Sequence, residues 1–101
     1  MLRDFFRGFI KIHVLYHASQ APVYGLEMAE ELRRHGYDVS PGTLYPTLHT
    51  LERRGLLSAE RRLEDGRWRT YYTATPAGLE ALAAVRPKLR ELVDEVLERD
   101  A

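Results

Sequence analysis

The sequence predicts a mainly helical fold that includes one small β-hairpin. Apolar residues recur at three- and four-residue steps in the first half of the chain, which is the pattern of amphipathic helices. An Asp-Gly pair at residues 65–66 then separates two segments rich in strand-forming residues, and a longer apolar stripe runs from residue 79 to residue 97. The expected order is helix, helix, helix, hairpin and long helix.

Composition limits the kind of protein. The 101 residues fit one domain, and a chain of this size gains stability when a partner subunit covers its apolar surface. Cysteine is absent, which excludes disulfides and thiolate nucleophiles and fits a reducing compartment. Charged residues interrupt the apolar N-terminal segment, so the sequence predicts neither a signal peptide nor a membrane anchor. We expect a cytoplasmic protein with no membrane partner.

Charge is distributed unevenly although the formal net charge is zero. Residues 33–72 carry eight basic and five acidic groups, whereas the segments before and after them are acidic overall. A basic middle suits a phosphate backbone, but an ordinary solvated surface has the same appearance. The spacing of particular residues therefore has to decide between the two.

The first two helices are predicted from their apolar periodicity and their end signals. Residues 3–18 have a broad apolar face, and the helical pattern ends before residues 19–22. A second pattern begins at residues 24–25 and stops at residues 34–36, where Gly36 suits the position after a helix and the basic pair suits its negative end. The second helix is therefore expected to be short.

The third helix has two possible starts. Ser40 and Thr43 are both N-cap residues, and Pro41 suits a first helical position. Pro46 lacks an amide hydrogen, so it favours a start near Thr43, whereas a start at Ser40 leaves one carbonyl unpaired and bends the first turn. The sequence leaves this boundary open. The apolar series of this helix is Leu44, Leu48 and Leu51.

The hairpin and the last helix follow. Residues 56–63 and 67–73 flank the Asp-Gly turn, and a two-stranded hairpin after three helices is typical of a winged helix-turn-helix unit. Thr75 is a natural N-cap for the final helix, with Pro76 in its first position. Pro87 lies within the apolar stripe, so we expect the last helix either to bend there or to divide in two.

Four motifs resemble those of PadR-type transcriptional regulators. Residues 40–57 read S-P-G-T-L-Y-P-T-L-H-T-L-E-R-R-G-L-L, which closely resembles the recognition-helix signature of that family. Residues 24–28 are similar to the start of its second helix, and residues 66–78 are similar to its wing and the entry to its last helix. Four motifs in the right order, in three separate segments of the chain, are far more specific than one short pattern.

The resemblance implies both an architecture and an activity. It implies a homodimeric DNA-binding regulator, commonly a repressor, that binds a partly palindromic operator and has no enzymatic activity. A single last helix is similar to the smaller branch of the family, in which that helix pairs with the first helix across the dimer. We accordingly expect a winged helix-turn-helix domain in residues 1–76 and a dimerisation helix in residues 77–101.

The third helix and the wing are the predicted contacts with double-stranded DNA. At about 100° per residue the leucines fall on one side of the helix and the polar residues face the other way. Helix 41–54 is therefore expected in the major groove, and wing 60–72 on the backbone or in the minor groove. The candidate DNA-binding residues are Tyr24, Ser40, Gly42, Thr43, Tyr45, Pro46, Thr47, His49, Thr50, Arg53, Gly66, Arg67 and Arg69.

Different contacts are expected from different candidates. Thr43, Thr47, His49 and Thr50 are the candidates for base edges. Tyr45 either donates its hydroxyl to a phosphate or packs its ring against the second helix. Arg61 and Arg62 are expected to add to the electrostatic field without touching DNA. Trp68, Tyr71 and Tyr72 are expected to pack the wing against the core.

The first and last helices show more apolar surface than one small domain can cover. We interpret the excess as a two-fold dimer interface, although packing within one chain is the alternative. The candidate interface residues are Phe5, Phe6, Phe9, Ile10, His13, Leu79, Leu82, Leu89, Leu92, Val93 and Val96.

Other interpretations of the chain are weaker. No nucleophile and base constellation indicates an enzyme, and a winged helix that binds only proteins is permitted by the neutral charge. His13 and His17 share a helix face and can begin a zinc or nickel site, but His35, His49 or an acidic group would have to complete it. The simpler interpretation places both histidines at the dimer interface or its rim, so no metal or cofactor is assigned.

A small-molecule effector is compatible with the sequence but is not identified by it. The aromatic residues Phe5, Phe6, Phe9 and Tyr16 on the first helix can line a binding pocket, or they can simply be core residues.

Overall fold

The computed structural model describes residues 1–98 and confirms the predicted winged-helix fold with its long last helix. The elements are α1 (Leu2–Gln20), β1 (Val23–Tyr24), α2 (Gly25–Arg34), α3 (Pro41–Arg53), β2 (Leu57–Glu64), β3 (Arg67–Ala74), α4 (Pro76–Val93) and a π-helical turn, Asp94–Glu98. Residues 99–101, the end of the predicted dimerisation segment, lie outside the described residues. None of the helices within residues 1–98 is long and apolar enough to cross a membrane.

Ser40 determines where α3 begins. Its side chain accepts a hydrogen bond from the Thr43 amide at 3.3 Å, and its own amide donates to the Thr43 hydroxyl at 2.9 Å. This reciprocal capping box engages the Ser40 and Thr43 amides at the N-terminus of the helix, so the helix starts at Pro41. Pro46 consequently lies inside the helix, where it cannot donate to the carbonyl of Gly42.

The wing belongs to a three-stranded sheet with the order β1-β3-β2, not to an isolated two-stranded hairpin. Asp65 and Gly66 have φ values of 50° and 78°, as a two-residue hairpin turn requires. The strand that the sequence did not predict is β1, which pairs Val23 with Tyr72 and Tyr24 with Tyr71. Two residues are too few to show an alternating pattern, so β1 has no detectable signal in the sequence.

The core lies where α1, α2, α3 and the sheet meet. Leu32 and Leu48 are fully buried, and Leu57 and Tyr72 attach the sheet to the helices. Leu82 of α4 is also part of this core and is only 4% exposed. Its expected place at the dimer interface was therefore wrong: the first turns of α4 lie against the three-helix unit, and Leu82 is buried within its own chain.

The second half of α4 extends away from the core. The helix is continuous through Pro87, so the proline does not divide it. Leu92 and Val93 are about half exposed, at 49% and 44%. A helix that projects in this way leaves its apolar stripe without a partner among residues 1–98 of its own chain.

Candidate nucleic-acid interface

The recognition candidate α3 has one buried face and one exposed face. Leu44, Leu48 and Leu51 are buried in the core. On the opposite side the exposed residues are Gly42, Thr43, Tyr45, Pro46, His49 and Arg53. Thr47 and Thr50 are half-buried at the boundary between the faces. Of the four base-edge candidates, Thr43 and His49 are exposed.

The hydroxyl of Thr43 is already used in capping the helix. It donates to the Ser40 carbonyl at 3.0 Å and accepts from the Ser40 amide at 2.9 Å. The Ser40 hydroxyl also lies 2.7 Å from it, so the one donor hydrogen and both acceptor lone pairs of the Thr43 hydroxyl are taken up by Ser40. Thr43 therefore offers DNA mainly its methyl group, which suits the methyl of thymine.

Tyr45 occupies a position that depends on Gly25. A Cβ atom added to Gly25 would lie 2.8 Å from Cε1 of Tyr45, closer than any stable contact. The absence of a side chain at this position lets the ring lie against the start of α2, while 42% of the residue stays exposed. The ring also stacks near His49, with centroids 6.1 Å apart. Tyr45 thus packs against the second helix and holds the neighbouring imidazole on the outer face.

The wing arginines differ in how firmly they are held. Arg67 is exposed beside the turn, whereas Arg69 is half-buried, with its guanidinium carbon 4.7 Å from the Tyr24 ring centre. The hydroxyl of Tyr71 raises the pKa of Arg69 through a hydrogen bond, and Tyr24 and Tyr71 are in edge contact at 5.4 Å. Two tyrosines on β1 and β3 therefore fix the position of a charged side chain.

The strand register places a third arginine, Arg62, on the same face of the wing as Arg67 and Arg69. Directly opposite residues of antiparallel strands share a face, and Arg62 pairs with Arg69 while Glu64 pairs with Arg67. Arg62 also donates to Glu60 at 3.4 Å. The sequence predicted that Arg62 contributes only to the electrostatic field, and it did not indicate that Arg62 lies beside Arg69 on the same face of the sheet. Counting residues outward from the Asp-Gly turn would have revealed it.

The expected packing of the wing aromatics is correct for Tyr72 but wrong for Trp68. Tyr72 is 3% exposed in the core, whereas Trp68 is 59% exposed, with Arg61 lying 5.1 Å from its ring centre. Both rings point to the same side of β3 because they are four residues apart. The hairpin extends beyond the core at its tip, so the face that is buried at Tyr72 is open at Trp68.

A cleft of about 440 Å³ separates α3 from the wing. Its polar and aromatic lining includes Tyr24, Tyr45, His49, Arg67, Trp68 and Arg69. None of the residues that line it is acidic. Cations, hydroxyls and ring edges beside an exposed helix suit a phosphate backbone, which accepts hydrogen bonds and carries negative charge.

Comparisons with known proteins identify the family of the chain. A model of the transcriptional regulator PadR-like family matches residues 14–84. The chain is 54% identical over 96 residues to "Transcriptional regulator Rv3488" of Mycobacterium tuberculosis, and the alignment covers 95% of this chain and 90% of that protein.

Solved structures show the same fold. A PadR family transcriptional regulator from Eggerthella lenta has a TM-score of 0.82 at 32% identity, covering 98% of this chain and 90% of that one. A PadR-like transcriptional regulator from Bacillus cereus has a TM-score of 0.74 at 32% identity, covering 97% of this chain and 96% of that one. The chain therefore belongs to the PadR-like family of transcriptional regulators, which act by binding DNA rather than by catalysing a reaction.

Proposed function

We propose that the protein is a repressor that binds a pseudo-palindromic operator as a homodimer, with α3 in the major groove and the wing on the backbone or in the minor groove. The observation that carries the proposal is the acid-free cleft between α3 and the wing, which is lined by Arg67 and Arg69 together with His49 of α3. Bound in this way, a dimer excludes polymerase from an overlapping promoter in the cytoplasm.

The residues divide into two roles in this proposal. His49, with Tyr45 stacked beside it, contacts base edges. The exposed residues Gly42, Thr43 and Pro46 form the rest of the α3 surface that lies against the major groove. Thr47 and Thr50 are half-buried and contribute at the edge of the groove. Positioning on the backbone comes from Tyr24, Ser40, Arg53, Gly66, Arg67 and Arg69.

We expect an Arg67→Ala/Arg69→Ala variant to bind operator DNA more weakly and with a smaller salt dependence. Each phosphate contact contributes roughly 0.9 to the slope of log affinity against log salt, and each of the two subunits loses two contacts, so the slope falls by about 3.6. Fluorescence anisotropy with a labelled operator at several salt concentrations measures both quantities.

The matched control removes the same charge far from the cleft. A Lys88→Ala/Arg90→Ala variant loses two exposed cations of α4 and is expected to keep the parent's slope. Equal slopes for the parent and the wing variant would show that the wing does not touch the backbone.

We expect His49→Ala to change sequence preference instead. Loss of one base-edge contact costs about 1–3 kcal/mol of discrimination at one or two base pairs, while the salt slope stays the same. Competition between operators that differ by single base pairs measures this effect. If each base-pair substitution lowers the affinity of His49→Ala by the same factor as it lowers the affinity of the parent, His49 does not read a base.

An effector, if the protein responds to one, is best accommodated between α1 and α4. Phe9 and Tyr16 line an apolar cavity of about 540 Å³ there, together with Tyr37 and Leu89. Phe6 instead makes an edge contact with Tyr37 at 5.7 Å and lines a separate cavity. The cavity lined by Phe9 and Tyr16 is bounded by α1 and α4, the two proposed dimerisation helices, so a ligand in it is positioned to alter the spacing of the two subunits.

A further inference from the structure

Three of the four histidines in the chain converge between α1 and α2. His13 and His17 lie one turn apart on α1, and His35 follows the last turn of α2. Each imidazole offers one nitrogen to a common point, and these three atoms lie within 4.8 Å of one another. The rings of His13 and His35 are 4.8 Å apart, whereas those of His13 and His17 are nearly parallel at 6.5 Å.

A carboxylate completes this group. Glu31 lies one turn before His35 on α2, and its Oε1 is 3.6 Å from Nε2 of His17 and 3.4 Å from Nε2 of His35. The ligand atoms of a tetrahedral zinc ion are roughly 3.3 Å apart when each bond is about 2.0 Å long. Two of the six necessary separations are therefore already present, and side-chain rotation has to shorten the longest separation among the three imidazole nitrogens by about 1.5 Å.

Glu31 divides its two oxygens between different partners. Arg34 donates two hydrogen bonds to Oε2 of Glu31, whereas Oε1 faces the imidazoles of His17 and His35. The Arg34 side chain is 68% exposed and can move into solvent when a metal ion replaces it.

We propose that His13, His17 and His35, with Glu31 as the fourth ligand, form a binding site for a divalent transition metal ion of the zinc class. Three imidazoles and one carboxylate suit Zn²⁺, Co²⁺ or Ni²⁺ and are a poor match for Mg²⁺ or Ca²⁺, which prefer oxygen ligands. His49, which the sequence also allowed as a ligand, lies instead on α3 beside Tyr45.

The site would connect two parts of the molecule that have different roles. α1 carries much of the proposed dimer surface, and α2 lies directly before α3 and packs against it. A metal ion bound by both α1 and α2 fixes the first helix relative to the recognition helix. Metal binding itself requires no DNA, so it is testable whether or not the proposed operator contacts are correct.

Zinc titration of the metal-free full chain tests the proposal. A chromophoric chelator that competes for Zn²⁺ is expected to report one site per chain, and each of His13→Ala, His17→Ala and His35→Ala is expected to weaken binding at least about tenfold. Co²⁺ should give the intense visible absorption of a tetrahedral site in the parent only. His49→Ala, the matched control for loss of an imidazole, should bind both ions like the parent.

The carboxylate has its own pair of variants. Glu31→Gln is expected to weaken Zn²⁺ binding, whereas Glu30→Gln, an exposed neighbour on α2, should not. Circular dichroism without metal identifies any variant that is misfolded, and the exposed position of His35 makes His35→Ala the least disruptive of the ligand substitutions. Failure of the parent to bind one Zn²⁺ per chain, or unchanged affinity in folded His35→Ala and Glu31→Gln, would overturn the proposal.

Discussion

A Gly78→Ala variant is expected to lose about 2–4 kcal/mol of unfolding free energy. Gly78 is buried in the first turn of α4, and a Cβ atom there would lie 2.1 Å from the carbonyl oxygen of Leu56. This neighbour is backbone and cannot rotate away. The same carbonyl accepts the Thr75 amide at 3.1 Å, and the Leu56 amide donates to Leu51 at 2.9 Å. Making room for one methyl group therefore disturbs the connection between α3, β2 and α4.

Urea denaturation at a fixed protein concentration measures this loss. Gly8→Ala is the matched control, because Gly8 lies in α1 with no atom near its missing side chain. Because alanine favours a helix more than glycine does, Gly8→Ala is expected to raise the unfolding free energy by about 0.5–1 kcal/mol. Equal unfolding free energies for Gly78→Ala and the parent would mean that α4 does not approach Leu56 as closely as the structure shows.

Local chemistry made most of the fold predictable. The N-caps Ser40 and Thr75, the positive φ of Asp65 and Gly66 and the three leucines of α3 each depend on residues close in sequence. Such signals act over a few residues, so they are visible without knowledge of the tertiary structure. Their agreement with one another explains why the helices and the hairpin lie where they were expected.

Features that depend on tertiary contacts were not predictable. Leu82 belongs to the same helical stripe as Leu92, and periodicity cannot distinguish the one that is buried in its own chain from the one that is exposed. Trp68 has the alternation of a core residue, but its exposure depends on how far the hairpin extends. Convergence of His35 and Glu31 on His13 and His17 depends on the packing of α1 against α2.

The sequence predicted the exposed face of the candidate DNA site but not the contacts between its side chains. Periodicity identified the outer face of α3, since a buried leucine row determines what remains outside. It did not indicate that the Thr43 hydroxyl is occupied by Ser40, or that Arg69 is held by Tyr24 and Tyr71. These contacts decide which groups remain available for DNA, and they depend on atomic distances.

An unpartnered stripe on α4 supports the proposed dimer. Leu92, Val93 and Val96 are 44–58% exposed, and Phe9 on α1 is 40% exposed. Large apolar side chains that project together from a small domain are typical of a subunit interface. Two-fold pairing through α1 and α4 would place two copies of α3 on successive major grooves, about 34 Å apart.

A Leu92→Glu variant is consequently expected to be monomeric and to lose about 10²- to 10⁴-fold in operator affinity, because linkage of two half-sites contributes an advantage of that size. Leu92 is half exposed in the single chain, so the substitution leaves the core of the winged helix intact. Ala84→Glu places the same charge on the opposite, exposed side of α4 and is expected to remain dimeric with the parent's affinity. Analytical ultracentrifugation and operator titration measure both properties. Loss of affinity without dissociation would place the effect of Leu92 within the subunit, whereas a dimeric Leu92→Glu protein with full affinity would exclude this stripe as the interface.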